Sequence, residues 1–214
     1  MPPVRRRRYD CDVIAALILA AGESTRMGSP KALLLDPDGR PFVARLVRTM
    51  VAAGLDDIVV VTGAQHDAIC SAVENDAPPQ LPRFVRNPDP GRGQLSSLWT
   101  GMDAVVTPAT EAILVTPVDV PMLTSATVRT VVGSWLGNRP PIARPRRGAR
   151  FGHPVLFDRV VFDELRSAPL ERGARAVVHS RAATVLNVDV DDRGCIADID
   201  SPADYAAMLD AQEQ

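Results

Sequence analysis

The sequence predicts a single α/β domain in which a mostly parallel, Rossmann-like sheet is flanked by helices. Three of the first four strand-like segments, at 13–20, 58–62 and 112–115, are short apolar runs without alternation, as expected for strands that are buried on both faces. A helix-like segment follows each of these runs, and this alternation is typical of a parallel sheet. A chain of 214 residues, 46% of them hydrophobic, is long enough for one domain with a substantial core.

The elements of the first half follow from composition and spacing. A helix is predicted over 41–53, because Pro41 suits the first turn of a helix and Gly54 ends the periodic pattern. Strands are predicted at 13–20, 58–62, 83–86 and 112–115, and further helices at 65–74, about 95–105 and from 124 to about 136. The loop after the first strand is expected to continue to about residue 35.

The second half is less regular. Within 142–157 we expect two strands around a basic glycine turn, followed by an apolar segment. Helices are predicted at 158–167 and 173–180, and a strand at 184–188. Ser201, Pro202 and Asp204 have the spacing of an N-cap, a first helical position and a capping box, so a last helix is predicted to begin there.

Charge and composition exclude several classes of partner. A net charge of −2 and a pI near 5.9 give no reason to expect nucleic-acid binding. No apolar run reaches the length of a membrane span, so we expect a cytoplasmic protein without a membrane partner.

The arginine run at 5–8 predicts a disordered basic tail over 1–12, with the domain at 13–214. The three cysteines are scattered and predict neither a disulfide framework nor a zinc site.

The loop after the first predicted strand has the composition of a phosphate-binding site. It contains Gly22 and Gly28 together with the cations Arg26 and Lys31. Free backbone N–H groups and fixed positive charges are what a polyphosphate requires. Its spacing is neither GxxxxGK[ST] nor GxGxxG, which argues against a P-loop NTPase and a dinucleotide-binding fold. A structural loop with incidental charges is the alternative.

Two carboxylates are candidates for holding Mg²⁺ near this loop. Asp119 follows the strand at 112–115, and ligands of parallel sheets bind at the carboxyl ends of the strands. Asp200 directly precedes the last helix. Together they would hold one Mg²⁺ that bridges phosphate oxygens, while Arg26 and Lys31 contact the triphosphate. Asp119 as a turn residue and Asp200 as a helix-start residue are the alternatives.

Two segments carry a resemblance to a known family. Residues 17–31 (LILAAGESTRMGSPK) resemble the signature loop of the MobA-like nucleotidyltransferases, and 87–101 (NPDPGRGQLSSLWTG) is similar to their loop before a Ser-Ser-Leu helix. The Ala-Ala-Gly form resembles the CTP-using branch, the molybdenum cofactor cytidylyltransferases. Further similarity lies at 118–121, 152–157, 173–175 and 198–205.

The resemblance implies a glycosyltransferase A-like nucleotidyltransferase fold and a site with defined roles. The enzyme would transfer CMP from CTP to a phosphorylated acceptor, with molybdopterin favoured, and release pyrophosphate with Mg²⁺ as cofactor. A transient contact with a molybdoenzyme is a further implication. The implied residues are Lys31, Arg26 and Asp119 for catalysis; Leu19, Ala20, Ala21, Gly22, Gly28, Lys31 and Ser96 for the nucleotide; Ser97, His153 and Pro154 for the acceptor; and Asp119 and Asp200 for the metal.

Departures from the family pattern leave the acceptor open. The chain has Pro-Val-Asp-Val-Pro at 117–121 where the cytidylyltransferases commonly have Gly-Asp-Gln-Pro, and Glu-Arg-Gly-Ala-Arg at 171–175 where Gly-Asp-x-Gly-Ala-Arg is frequent. Another phosphorylated acceptor, an NAD(P)H-dependent reductase and a non-catalytic cofactor carrier are the alternative functions. His153 is equally compatible with a structural role. The arginines at 144, 146, 147 and 150 would form either an anion-binding rim or a solvated basic turn.

Overall fold

The computed structural model describes residues 14–22, 24 and 27–211, and in this part of the chain eight strands form one mixed sheet. Arg26 and the predicted tail at 1–12 lie outside the described residues. The strands are β1 (Ile14–Ala20), β2 (Asp57–Thr62), β3 (Arg83–Arg86), β4 (Ala112–Pro117), β5 (Ile142–Arg147), β6 (Arg150–Phe151), β7 (Val155–Asp158) and β8 (Val185–Asp189). The helices are α1 (Phe42–Ala53), α2 (His66–Asp76), α3 (Gln94–Val105), α4 (Ser125–Asn138), α5 (Phe162–Arg166), α6 (Arg175–Ser180) and α7 (Pro202–Asp210).

The sheet has the order β3-β2-β1-β4-β7-β5-β6, and β8 also pairs with β5, in parallel. The first four strands are parallel, as predicted from the alternation of strand and helix. Strand β7 is antiparallel to both β4 and β5. Its direction is reversed because β5 turns back through β6 without a crossover helix, and strands joined by a tight turn are antiparallel. The α/β domain with a mostly parallel sheet is therefore confirmed, with a mixed second half.

Strand β1 is buried along its whole length, which explains its lack of alternation. Successive side chains enter two separate cores: Ile18 packs in the core under α1, α2 and α4, and Leu17 in the core under α3, α5 and α6. Helix α3 approaches the sheet closely at Gly101, where an added Cβ would lie 3.0 Å from Leu17 Cδ1. Because β1 is held from both sides, the loop that follows it starts from a rigid position.

Several predicted helix ends are confirmed. Gly54 ends α1 with a positive φ of 92°, and Thr124 caps α4 by accepting a hydrogen bond from Thr127 N. Ser201 and Asp204 form the predicted capping box of α7.

The helix predicted at 158–167 is a 3₁₀ turn (Arg159–Val161) followed by the short helix α5, and the helix predicted at 173–180 begins at Arg175. In the described part of the chain, no helix is both long and apolar enough to cross a membrane.

Candidate active site

A cavity of about 500 Å³ opens at the carboxyl ends of β1, β2 and β4. This is the edge at which parallel sheets bind their ligands. Four stretches and Asp200 supply most of its lining: residues 19–22, 24 and 30–32 after β1, residues 63–65 after β2, Gly93, Gln94 and Ser97 at the start of α3, and residues 117–119 after β4. Of the predicted nucleotide contacts, Leu19, Ala20, Ala21, Gly22 and Lys31 therefore line one cavity.

Close backbone packing shapes the floor of this cavity. Gly63 lies against Ala21, and a Cβ on Gly63 would be 2.6 Å from the Ala21 carbonyl oxygen. Val118 N donates to Leu19 O at 3.0 Å, which joins the segment after β4 to the end of β1. Ser24 Oγ accepts a hydrogen bond from Lys31 N at 3.0 Å. The loop after β1 is therefore held at both of its described ends.

Lys31 lies between the two predicted metal ligands. Its Nζ is 2.5 Å from Asp200 Oδ1 and 3.6 Å from Asp119 Oδ2. Lys31 is buried in a 3₁₀ turn (Lys31–Leu33), and it is the only lysine among the 24 basic residues of the sequence. A lysine is a compact charge on a flexible stem, whereas a planar arginine requires a fixed fork geometry. Three segments that are distant in sequence thus meet at one ammonium group.

Asp119 carries an unsatisfied oxygen in this site. Within the described residues, its buried Oδ1 has no hydrogen-bond partner. Burial raises the pKa of Asp119, and the nearby charges of Asp198 and Asp200 act in the same direction, while Lys31 opposes them. An orphaned buried carboxylate oxygen costs free energy unless a donor or a cation reaches it. This oxygen is suited to a hard divalent cation, which prefers carboxylate ligands.

The backbone joins the two carboxylate segments. Ile199 N donates to Asp119 O at 2.8 Å, directly before Asp200. The described histidine, cysteine and acidic residues form no metal-binding group of three or more. A metal held by Asp119 and Asp200 would therefore keep positions for phosphate oxygens and water, as Mg²⁺ usually does.

The two serines at the start of α3 have different surroundings. Ser97 lines the cavity, whereas the described cavity lining does not include Ser96. Ser96 Oγ donates to Gly93 O at 2.8 Å, and Asn87 Nδ2 donates to both serine hydroxyls, at 2.9 and 3.0 Å. Ser96 is thus engaged within the protein, and Asn87 holds the first turn of α3 against the end of β2 through a bond from its N–H to Thr62 O.

His153 and Pro154 lie outside the described cavity lining, in the segment that leads into β7. His153 N donates to Cys195 O at 2.8 Å, and its ring Nδ1 is buried without a hydrogen-bond partner in the described structure. Burial lowers the pKa of His153, so its imidazole is neutral at neutral pH. These features describe a partly buried, uncharged ring rather than an anion-binding side chain.

The basic hairpin forms ion pairs within the protein. Arg146 makes two bonds to Asp189, at 2.7 and 2.8 Å, and Arg147 pairs with Asp191 at 3.0 Å. The guanidinium carbon of Arg144 stacks 3.6 Å from the centroid of the Phe151 ring. Among the described cavity-lining residues there is no arginine. The solvated basic turn is therefore the better interpretation of these side chains.

Residues 63–65 and Gln94 line the cavity and are absent from the sequence-based site. Gly63, Ala64 and Gln65 carry no charge and match no motif, so composition alone does not single them out. Their position in the chain could have predicted them, because they follow β2 at the same edge of the sheet as the loop after β1. Gly28 was predicted for the nucleotide; its φ is +66°, and it does not belong to the described cavity lining.

Comparison with known proteins identifies the family. The model of the MobA-like NTP transferase domain matches residues 16–185. Nicotine blue oxidoreductase of Paenarthrobacter nicotinovorans is 29% identical, covering 94% of this chain and 98% of that protein. A probable molybdenum cofactor guanylyltransferase of Opitutus terrae is 27% identical, covering 91% of this chain and 94% of that protein.

Solved structures agree with this assignment. Rv0371c of Mycobacterium tuberculosis H37Rv has a TM-score of 0.76 and 29% identity, covering 94% of this chain and 99% of that one. A structure of the same protein in complex with manganese has a TM-score of 0.73 and 26% identity, with the same coverage. The family model spans most of the sequence, so the resemblance inferred from the loop is confirmed. The chain belongs to the MobA-like NTP transferase family and is an enzyme of the nucleotidyltransferase class.

Proposed function

We propose that this nucleotidyltransferase moves CMP from CTP to a phosphorylated acceptor, with molybdopterin as the first candidate, and releases pyrophosphate. The main support is the position of Lys31 between Asp119 and Asp200 at the cavity edge, with Nζ to oxygen distances of 3.6 and 2.5 Å. A single cation and two carboxylates beside a backbone-lined loop suit a triphosphate with its counter-ion.

Charge neutralisation is the main task of such a site. The attacking phosphate, the α-phosphate and the leaving pyrophosphate are all anionic, so positioning and electrostatic stabilisation dominate catalysis. Lys31 would leave Asp200 and place its ammonium group on a phosphate. Arg26 is proposed from the sequence as a bidentate phosphate contact.

Asp119 and Asp200 would hold Mg²⁺, and the orphaned Oδ1 of Asp119 fits this role. A divalent cation held by these two carboxylates would supply positive charge against the charge that develops on the leaving pyrophosphate. The manganese complex of the Mycobacterium relative is consistent with a divalent cation in this family.

The acceptor side requires no general base if the nucleophile is an ionised phosphate. No histidine belongs to the described cavity lining, which agrees with this chemistry. Ser97 is the proposed acceptor contact within the cavity, where its hydroxyl would donate to a phosphate oxygen. His153 and Pro154 are proposed to contact the part of the acceptor beyond the cavity.

Pyrophosphate release tests the proposal directly. The protein is incubated with Mg²⁺, molybdopterin and each of the four NTPs, and we expect the highest rate with CTP. The Ala-Ala-Gly sequence at 20–22 supports CTP as the substrate. GTP is the main alternative substrate, because a probable molybdenum cofactor guanylyltransferase is among the relatives. Lys31→Ala should abolish the rate, and Arg147→Ala, which removes an exposed cation paired with Asp191, should retain it.

The acceptor is tested with the same assay. Sugar phosphates replace molybdopterin in parallel reactions. A higher rate with one of them would indicate that this sugar phosphate, and not molybdopterin, is the acceptor. Binding of nucleotide without turnover and without a need for Mg²⁺ would instead indicate a carrier. Transient contact with a molybdoenzyme is a further proposal, tested by transfer of the product to that enzyme.

NAD(P)H-dependent reduction is the second activity to test. It is supported by one relative, the nicotine blue oxidoreductase, which is similar over almost the full length of both chains. The chain has no GxGxxG loop for a dinucleotide. Oxidation of NADH or NADPH in the presence of nicotine blue would support this activity. The Lys31→Ala variant should retain it, because a hydride transfer does not use the proposed phosphate contact of Lys31.

A further inference from the structure

We propose that Asp204 is a positioning residue for this site and acts through Asp200, an inference that rests on the role of Asp200 in the proposed function. Asp204 lies in the first turn of α7 and is exposed. Its Oδ2 accepts hydrogen bonds from Asp200 N at 3.1 Å, from Ser201 N at 2.8 Å and from Ser201 Oγ at 2.7 Å. One exposed carboxylate oxygen therefore holds the peptide group on each side of the Asp200 Cα.

The bond from Asp200 N goes beyond what helix capping requires. A capping box needs the side chain of Ser201 on the backbone of Asp204, and the side chain of Asp204 on the backbone of Ser201. Asp200 precedes the cap, so its N–H is not one of the unsatisfied donors of the helix. The additional bond fixes the residue whose carboxylate contacts Lys31.

The surroundings hold Asp200 against a defined frame. Ile199 N donates to Asp119 O at 2.8 Å, so the three consecutive backbone N–H groups at 199–201 all have partners that belong to the site or to α7. Helix α7 is anchored by Tyr205 Oη, which donates to Leu35 O at 2.9 Å, close after the turn that carries Lys31. The Asp204 carboxylate thus connects Asp200 to a helix that is fixed on the lysine-bearing segment.

Lys31 provides a direct readout, because a protein with one lysine gives one lysine signal. The full chain is labelled with [¹³C,¹⁵N]lysine, and the Lys31 Cε and Nζ chemical shifts are measured without metal or nucleotide. We expect Asp204→Ala to move these signals toward their values in Asp200→Asn, by about half of that difference or more. Asp204→Asn keeps an acceptor oxygen and should leave the signals close to those of the wild type.

Ser201→Ala is the matched control for helix capping. It removes the hydroxyl half of the capping box but leaves Asp200 N bonded to Asp204, so it should lower the thermal midpoint while the Lys31 signals stay in place. Equal signal shifts in Ser201→Ala and Asp204→Ala would show a capping role alone and overturn the proposal. An Asp204→Asn variant that behaves like Asp204→Ala would show an effect of charge and would also overturn it.

A second measurement keeps the test decisive. Mn²⁺ affinity by electron paramagnetic resonance should fall about tenfold in Asp204→Ala and change less than about threefold in Asp204→Asn and Ser201→Ala. Should the alanine variant not fold, Asp204→Ser replaces it, since its hydroxyl ends one bond short of the carboxylate oxygens. No readout uses an NTP or an acceptor, so a failed pyrophosphate assay rejects the proposed function and leaves this inference to be judged separately.

Discussion

Lys31 Nζ lies 2.5 Å from Asp200 Oδ1, so the cation that would neutralise a phosphate is paired with a carboxylate that would hold a metal. The same ammonium group is 3.6 Å from Asp119 Oδ2. In this arrangement Lys31 occupies the position of a counter-ion for both carboxylates. Binding of a divalent cation and binding of Lys31 to these carboxylates are therefore competing events.

Removal of the Lys31 charge should strengthen metal binding in the absence of nucleotide. In Lys31→Met, the carboxylates of Asp119 and Asp200 lose their competing cation, and we expect Mn²⁺ affinity to rise about tenfold, or ~1.4 kcal/mol. The same variant should lose pyrophosphate release by about a hundredfold or more, because a charge on the phosphates is missing. Electron paramagnetic resonance of Mn²⁺ titrations gives the affinity.

Arg147→Met is the control for the Lys31 experiment, since it removes a cation from an exposed pair with Asp191. It should change neither the Mn²⁺ affinity nor the rate. Weaker metal binding in Lys31→Met would contradict the competition and indicate that Lys31 organises the two carboxylates for the metal.

The partly buried carboxylate of Asp119 should destabilise the metal-free protein at neutral pH. Its pKa is raised by burial, so the folded protein binds more protons than the unfolded chain between the two pKa values. The contribution of Asp119 to stability is full below the unfolded pKa and is lost as the pH rises through the folded pKa. We therefore expect Asp119→Ala to raise the metal-free Tm by about 2–4 °C above that range, with no gain at acid pH.

Asp36→Ala is the matched control for Asp119→Ala. Asp36 is more deeply buried than Asp119, but its oxygens accept hydrogen bonds from Asp38 N, Arg40 N and Arg45 Nη1 at 2.7–2.9 Å. Its removal should lower Tm at neutral pH, because three donors lose their partner. Thermal unfolding of both variants from about pH 3, below the ordinary aspartate pKa of about 3.9, to about pH 8 separates the two cases. A lower Tm for Asp119→Ala at neutral pH would contradict the prediction.

Local patterns in the sequence indicated the cavity-lining segments after β1 and β4 better than they indicated the order of the strands. The end of β1, the loop to Lys31 and the position of Asp119 follow from an apolar run, a change in composition and the rule for parallel sheets. The insertion of β7 between β4 and β5 was not predictable, because strand order depends on long-range pairing that no local pattern records. The capping box at 201–204 was predictable because its contacts are local.

The roles of polar side chains were harder to predict, because the sequence does not show whether a charged residue forms an ion pair. Arg146 and Arg147 were compatible with an anion-binding rim until their partners, Asp189 and Asp191, were located across the neighbouring strand. Ser96 and Ser97 are adjacent in sequence, yet the cavity lining includes only Ser97 of the two. Such differences depend on the orientation of one helix turn, which spacing alone does not determine.

The close approach of Gly63 to Ala21 should make glycine necessary at this position. A Cβ at residue 63 would be 2.6 Å from the Ala21 carbonyl oxygen and 3.2 Å from its carbonyl carbon. We expect Gly63→Ala to cost about 1–3 kcal/mol in the free energy of unfolding, measured by urea denaturation. Nucleotide affinity should fall as well, because both residues line the cavity.

Gly133→Ala provides the contrasting substitution. Gly133 lies within α4, and nothing is within 4 Å of an added Cβ. Alanine should therefore stabilise the helix by about 0.5–1 kcal/mol and leave nucleotide affinity unchanged. If Gly63→Ala proves as stable as the wild type, the floor of the cavity is able to adjust, and the close packing does not control the shape of the site.

Substitution of the two serines at the start of α3 should affect different properties, the stability of the fold in one case and substrate binding in the other. Ser96→Ala removes a hydroxyl that bonds Gly93 O and Asn87 Nδ2, and we expect a loss of about 1–3 kcal/mol in unfolding free energy with little change in KM. Ser97→Ala should instead raise the acceptor KM about tenfold, with a smaller loss of stability, if its hydroxyl contacts the acceptor.

Urea denaturation and steady-state kinetics of both variants measure this split. Asn87 donates to both hydroxyls, so each single variant leaves its amide with one serine partner, and the two substitutions are matched in that respect. A raised KM in Ser96→Ala together with an unchanged denaturation midpoint would assign the substrate contact to Ser96. This result would require the first turn of α3 to reorient when substrate binds, since Ser96 Oγ is held by Gly93 O at 2.8 Å in the present arrangement.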